Sequence, residues 1–131
     1  MRLDDLIPSD ADVDVIKLDI EGAELGALRG AIGVLSRTFP TVMFESGLNR
    51  DDSPYEKTDL FHYFDQRNYA IVVPNRLGHN DNGLSEEGFL ESHWYPRRTT
   101  NYFAVHRDRR TEFRDIARRV LGTQRHKPSF L

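Results

Sequence analysis

The sequence predicts an α/β domain, a sheet of four strands with helices packed on it. Three observations predict this class. A short run rich in valine and isoleucine at residues 13–20 is followed at once by apolar residues spaced three and four apart. Similar β-prone runs recur at 41–45, 69–73 and 101–106, and the segments joining the first three carry helical periodicity.

The first run, "VDVIKLDI", is too short for a helix and reads as a buried strand. Leu25, Leu28, Ile32 and Leu35 then mark one face of a helix over 23–36, with Pro40 as the stop beyond it. "TVMFE" (41–45) is the second strand and runs into the turn-rich "SGLNRDDSP". Tyr55, Leu60, Phe61 and Phe64 predict a second helix ending near Asn68, and "YAIVV" (69–73) is the third strand. Residues 74–100, with Pro74, Asn75, Gly78, Asn80, Asn82 and Gly83, predict a long polar loop without secondary structure of its own. Such a length marks a functional or partly disordered segment. "NYFAVH" (101–106) is the fourth strand. Phe113, Ile116, Ala117, Val120 and Leu121 then predict a C-terminal helix that stops at Gly122. With no crossover helix between the third and fourth strands, that pair is expected to be antiparallel.

A chain of 131 residues, 38% hydrophobic and 30% charged, has room for one globular domain and not for a second full one. No apolar run is long enough to cross a bilayer, and "MRLDDLIPSD" lacks the pattern of a secretion signal, so the expected location is the cytoplasm. The absence of cysteine excludes disulfides, thiolate zinc sites and a cysteine nucleophile. The net charge of -3 is unevenly spread: 10 basic and 18 acidic residues precede Arg107, and 8 basic and 3 acidic residues follow from it. The chain thus divides into an acidic body, 1–106, and a basic helix and tail, 107–131.

The stretch of greatest chemical interest is "IKLDIEGAELGALRGA". Strand alternation puts Lys17, Asp19 and Glu21 on one side and Ile16, Leu18 and Ile20 on the other. A lysine within a sheet covered on both faces requires a partner, for which Asp19, Glu24 and Glu45 are the candidates. The acids lie at the carboxyl end of the strand, where open parallel sheets bind ligands, and Gly22 permits a tight turn there. Glu21 and Glu24 have a purely structural explanation as well, since acids in a helix's first turn stabilise it by ~0.3–1 kcal/mol each. Glu45 closes the next strand in the same orientation, which predicts that it stands beside Asp19.

These residues resemble the K-x-D-x-E-G-x-E-x-x-x-L-x-G-A signature of the FkbM-like methyltransferases, with "LDDLIP" before it and "PTVMFES" after it similar to segments of that family. "NYAIVV" and "NYFAVH" resemble its last two strands, so the similarity extends over most of residues 3–106. The resemblance implies a partial Rossmann-like sheet whose strands correspond to 4-5-7-6 of the full fold, the C-terminal half of a methyltransferase-like domain. It implies S-adenosylmethionine as cofactor and methyl transfer to a hydroxyl of a sugar or natural product as the reaction. By position it implies that Asp19, Glu21 and Glu45 are the catalytic candidates, Asp19 and Gly22 the cofactor-binding ones, and Lys17 a residue that orients the carboxylates. The glycine-rich turn that follows the first strand of such folds is not found in this chain. The expectation is therefore a part of a larger or complemented enzyme, with the exposed edge of the first strand available for self-association or a complementing chain.

Two rival classes follow from the same residues. Asp19, Glu21 and Glu45 are also suited to magnesium, which would make the protein a phosphoester hydrolase. Without its cofactor turn the chain is alternatively a non-catalytic interaction module or an inactive truncated methyltransferase. The five histidines lack metal-pair spacing and are assigned no ligand role, so no metal site is predicted; His79 and His93 read as surface residues. "HWYPRR" (93–98) reads as a loop packed down by its tryptophan. The basic tail reads as an amphipathic surface helix, with nucleic acid not expected as a partner.

Overall fold

A computed structural model of the chain describes residues 1–20, 22–47, 57–94 and 101–125, with side chains to residue 122. Strands β1 (Val15–Leu18), β2 (Thr41–Glu45), β3 (Tyr69–Val72) and β4 (Asn101–His106) form one mixed sheet in the order β1-β2-β4-β3. β1 and β2 are parallel, with Leu18 opposite Phe44. β4 enters between β2 and β3 and is antiparallel to both, pairing Phe44 with Tyr102 and Ile71 with Ala104. The antiparallel last pair is as the sequence predicts.

The helix expected over 23–36 is two helices, α2 (Glu24–Arg29) and α3 (Ile32–Thr38), preceded by the single turn α1 (Leu3–Leu6). The break has a long-range cause. The Asp4 carboxylate of α1 accepts from the backbone N–H groups of Gly33 and Val34, both at 2.9 Å, and so caps α3 from 29 and 30 residues away. Partial burial pushes the Asp4 carboxyl up, but these two N–H groups, with Arg2 beside it, hold it below the usual carboxylate value. After Pro40 comes β2, and α4 (Lys57–Gln66) is followed by a turn at Asn68, whose φ of 63° is left-handed.

The 74–100 connection departs from the expected structureless loop. It contains a 3-10 turn at Pro74–Arg76 and a helix, α5 (Glu86–Glu91), whose Ser85 cap accepts from Gly88 N–H at 3.0 Å. Asn82 and Gly83 punctuate this segment strongly enough to mask the short helix after them. The last helix, α6 (Arg110–Arg125), runs through Gly122 instead of stopping there. A single glycine weakens a helix by only about 1 kcal/mol.

One face of the sheet carries the main core: Val42, Phe44, Tyr69, Ile71 and Tyr102 pack under Leu28, Leu60, Phe64 and Phe89 from α2, α4 and α5. On the other face Val72 and Val105 pack with Leu77, Phe113 and Ala117, the last two from α6. That second layer lies over β3 and β4. Val15 of β1 is 57% exposed and Lys17 is exposed. β1 pairs with β2 alone among the described strands, which leaves its other edge open. Among the described residues no helix is long and apolar enough to cross a membrane.

Candidate functional site

The parallel register builds the rim where the sequence locates the site. Leu18 is the partner of Phe44, so Asp19 and Glu45 follow as neighbours at the carboxyl ends of β1 and β2. Both are exposed, and Glu45 lies opposite Asn101 of β4. Glu21 falls outside the described residues.

Gly22 forms the turn after the rim with φ of 95°. A side chain there would meet nothing within 4 Å. Its requirement for glycine is therefore conformational, since L-residues rarely adopt that backbone. The Gly22 N–H donates to both oxygens of Glu24, each at 3.1 Å. Glu24 is 2% exposed in the first turn of α2. This carboxylate, which the sequence offers both as a helix-start acid and as a partner for Lys17, ties the rim turn to the core.

Lys17 departs from expectation. It is exposed because the sheet is not covered over β1 on that face, and among the described residues it makes no ion pair with Asp19, Glu24 or Glu45. The desolvation argument for a buried lysine needing an acid partner, and for its orienting the carboxylates, does not apply. Among the described residues, which do not include Glu21 of the magnesium reading, no group of three or more His, Asp or Glu side chains able to hold a metal occurs.

Behind Glu45 lies an arrangement that spacing in the chain does not reveal. Ser46, wholly buried at the end of β2, has its Oγ 2.7 Å from Nε2 of His93. Nδ1 of His93 lies 2.8 Å from the Phe89 carbonyl, which can only accept. In the neutral ring Nδ1 therefore carries the proton, and the Ser46 hydroxyl donates to Nε2. The imidazole stacks on Tyr102 at 5.5 Å and meets the edge of Phe89 at 4.7 Å. Tyr102 is in turn hydrogen-bonded to Ser92 at 2.6 Å. The pair joins the end of α5 to the strand end that carries Glu45. His93 is thus a core residue and not the surface residue that its polar surroundings in the sequence suggest; His79 is exposed, as expected. Trp94 is 64% exposed, so the tryptophan does not pack its loop down, and Tyr95 to Arg98 fall outside the described residues.

Chemically, the rim offers two exposed carboxylates on adjacent strands above a rigid polar seam, open to a cationic or hydroxyl-bearing ligand. No curated protein and no solved structure matches the chain. The family model described as the methyltransferase FkbM domain matches residues 1–71. That match covers more than half of the chain and includes β1, β2, the Gly22 turn and both rim carboxylates. The chain belongs to the FkbM methyltransferase domain family.

Proposed function

We propose that the acidic rim takes part in methyl transfer from S-adenosylmethionine to a hydroxyl of a sugar or natural-product acceptor, with Asp19, Glu21 and Glu45 as its working residues. The observation that carries this reading is the parallel register that makes Asp19 and Glu45 neighbours at the carboxyl rim of β1 and β2. Exposed carboxylates there suit the positively charged methionine end of the cofactor, and the left-handed Gly22 turn leaves open space beside the backbone. They fit only that end. The described residues include no glycine-rich turn after a strand for the nucleotide end, and β1 has an open edge.

S-adenosylmethionine, when bound, supplies an electrophilic methyl group. In this reading Asp19 balances the cofactor's charge. Glu45 accepts a hydrogen bond from the acceptor hydroxyl and takes its proton, a role that contributes roughly 10²- to 10⁴-fold where base catalysis matters. Alignment of the two reactants contributes more. Ser46 and His93 hold the strand end from which Glu45 projects. The open edge of β1 is where a complementing chain or further segment adds a strand and completes the cofactor pocket.

Calorimetric titration of the chain with S-adenosylmethionine tests the proposal. Saturable heat that falls at least tenfold in affinity in Asp19→Asn supports it. Saturable heat unchanged in Asp19→Asn and Glu45→Gln would remove the rim from the cofactor site, and no heat at millimolar cofactor would favour the reading of a non-catalytic interaction module.

A further inference from the structure

The apolar stripe of α6 outruns the sheet that it covers. Phe113 and Ala117 are used in packing against Val72 and Val105, but further along the helix Val120 is 65% and Leu121 48% exposed. Arg118 and Arg119, also exposed, adjoin them, and the Arg118 guanidinium donates to the Gly78 carbonyl of its own chain at 2.6 Å. On the opposite face of the sheet, α5 has the complementary character. Leu90 and the exposed Trp94 form a shallow apolar groove flanked by Glu86, Glu87 and Glu91. His62 lies 3.4 Å from Glu86, which leaves Glu87 and Glu91 as the groove's exposed acids.

The two surfaces cannot meet within one chain, because α5 packs through Phe89 into the core on one face and α6 packs on the other. They can meet between copies. We propose that the end of α6 from one copy docks in the Leu90–Trp94 groove of another, with Val120 and Leu121 against the indole and Arg119 facing Glu87 and Glu91. The charges are of opposite sign and the apolar residues unpartnered on each side. An amphipathic helix in a groove with an aromatic anchor is a recurrent mode of recognition. An arginine beside the indole face adds a cation–π attraction. Because the two patches differ and lie on opposite faces, the contact is head-to-tail: it propagates to open chains or rings and does not close a two-fold dimer.

This inference does not depend on the methyl-transfer reading, and a clean experiment separates it from strand addition at β1. Trp94 is the only tryptophan, so its fluorescence reports the groove directly. Wild-type protein is expected to gain mass beyond a dimer with concentration in analytical ultracentrifugation, with a parallel blue shift of emission, both reduced by high salt. The double variants E87K/E91K and V120S/L121S, checked for native circular dichroism, are each expected to associate about tenfold or more weakly. Mixed in equal amounts they should form a species of two chains and no larger, since each keeps one intact patch. A wild type that stays monomeric at all concentrations, a mixture that stays monomeric, or association that persists in both variants without a change in Trp94 emission overturns the proposal; the last result would assign association to the β1 edge.

Discussion

Ser46 and His93, 47 residues apart in the chain, meet at 2.7 Å in the interior and join the end of β2 to the end of α5. Both are buried, so neither can be satisfied by solvent if its partner is removed. Ser46→Ala and His93→Ala should each destabilise the fold, the first by about 1–3 kcal/mol. The double variant should cost less than the two single ones together, by about 0.5–3 kcal/mol. Urea unfolding of the four proteins measures that coupling, and strict additivity would show that the contact contributes nothing.

Asp4 caps a helix to which it is not connected locally. Asp4→Ala should cost about 1–2 kcal/mol, read as a lower urea midpoint with unchanged slope. The cap also has a pH signature. The folded carboxyl lies below its ordinary value of 3.8, so its contribution is complete above that value and is lost as pH falls through the lower, folded one.

His106 adds acid sensitivity in a higher window. Burial lowers its pKa from 6.5, so the neutral ring is favoured in the fold, and its stabilising effect is complete above 6.5 and declines as pH falls below it. His106→Asn should flatten the stability profile in that window while leaving the more acidic Asp4 limb in place, as thermal melts across pH will show.

Gly83 and Gly22 both have left-handed backbones, but their surroundings differ. A Cβ at Gly83 would lie 2.8 Å from the Ala70 Cβ, whereas one at Gly22 would meet nothing within 4 Å. Gly22→Ala should cost about 1 kcal/mol for its conformation alone. Gly83→Ala should cost clearly more, because the β3 backbone beneath it must also shift. Equal midpoints in chemical unfolding would contradict this.

The rim carboxylates should behave oppositely to all of these. Asp19 and Glu45 are exposed, so Asp19→Asn and Glu45→Gln should change stability by less than about 0.5 kcal/mol, and Lys17→Ala likewise. A large loss of stability in any of the three would show that the residue is structural.

Local chemistry was enough to read the four strands, the helix after Asp19, the helix ending near Asn68 and the adjacency of Asp19 and Glu45. Period-two and period-four spacing and parallel succession of the first two strands are properties of short stretches. The motif around "IKLDIEGAELGALRGA" was sufficient to indicate the family, because it is contiguous. The exposure of Lys17 was not readable, since it depends on how much of the sheet α6 covers, and α6 lies over β3 and β4. Nor were the division of α2 from α3, which Asp4 imposes from a distance, and the short α5 hidden behind Asn82 and Gly83. By itself the sequence determined which segments extend, which coil and which acids stand at the strand ends. Only the tertiary structure decided which polar groups are buried, because burial depends on what distant segments place above them: Ser46 needs His93, and Glu24 needs the Gly22 turn folded back over it.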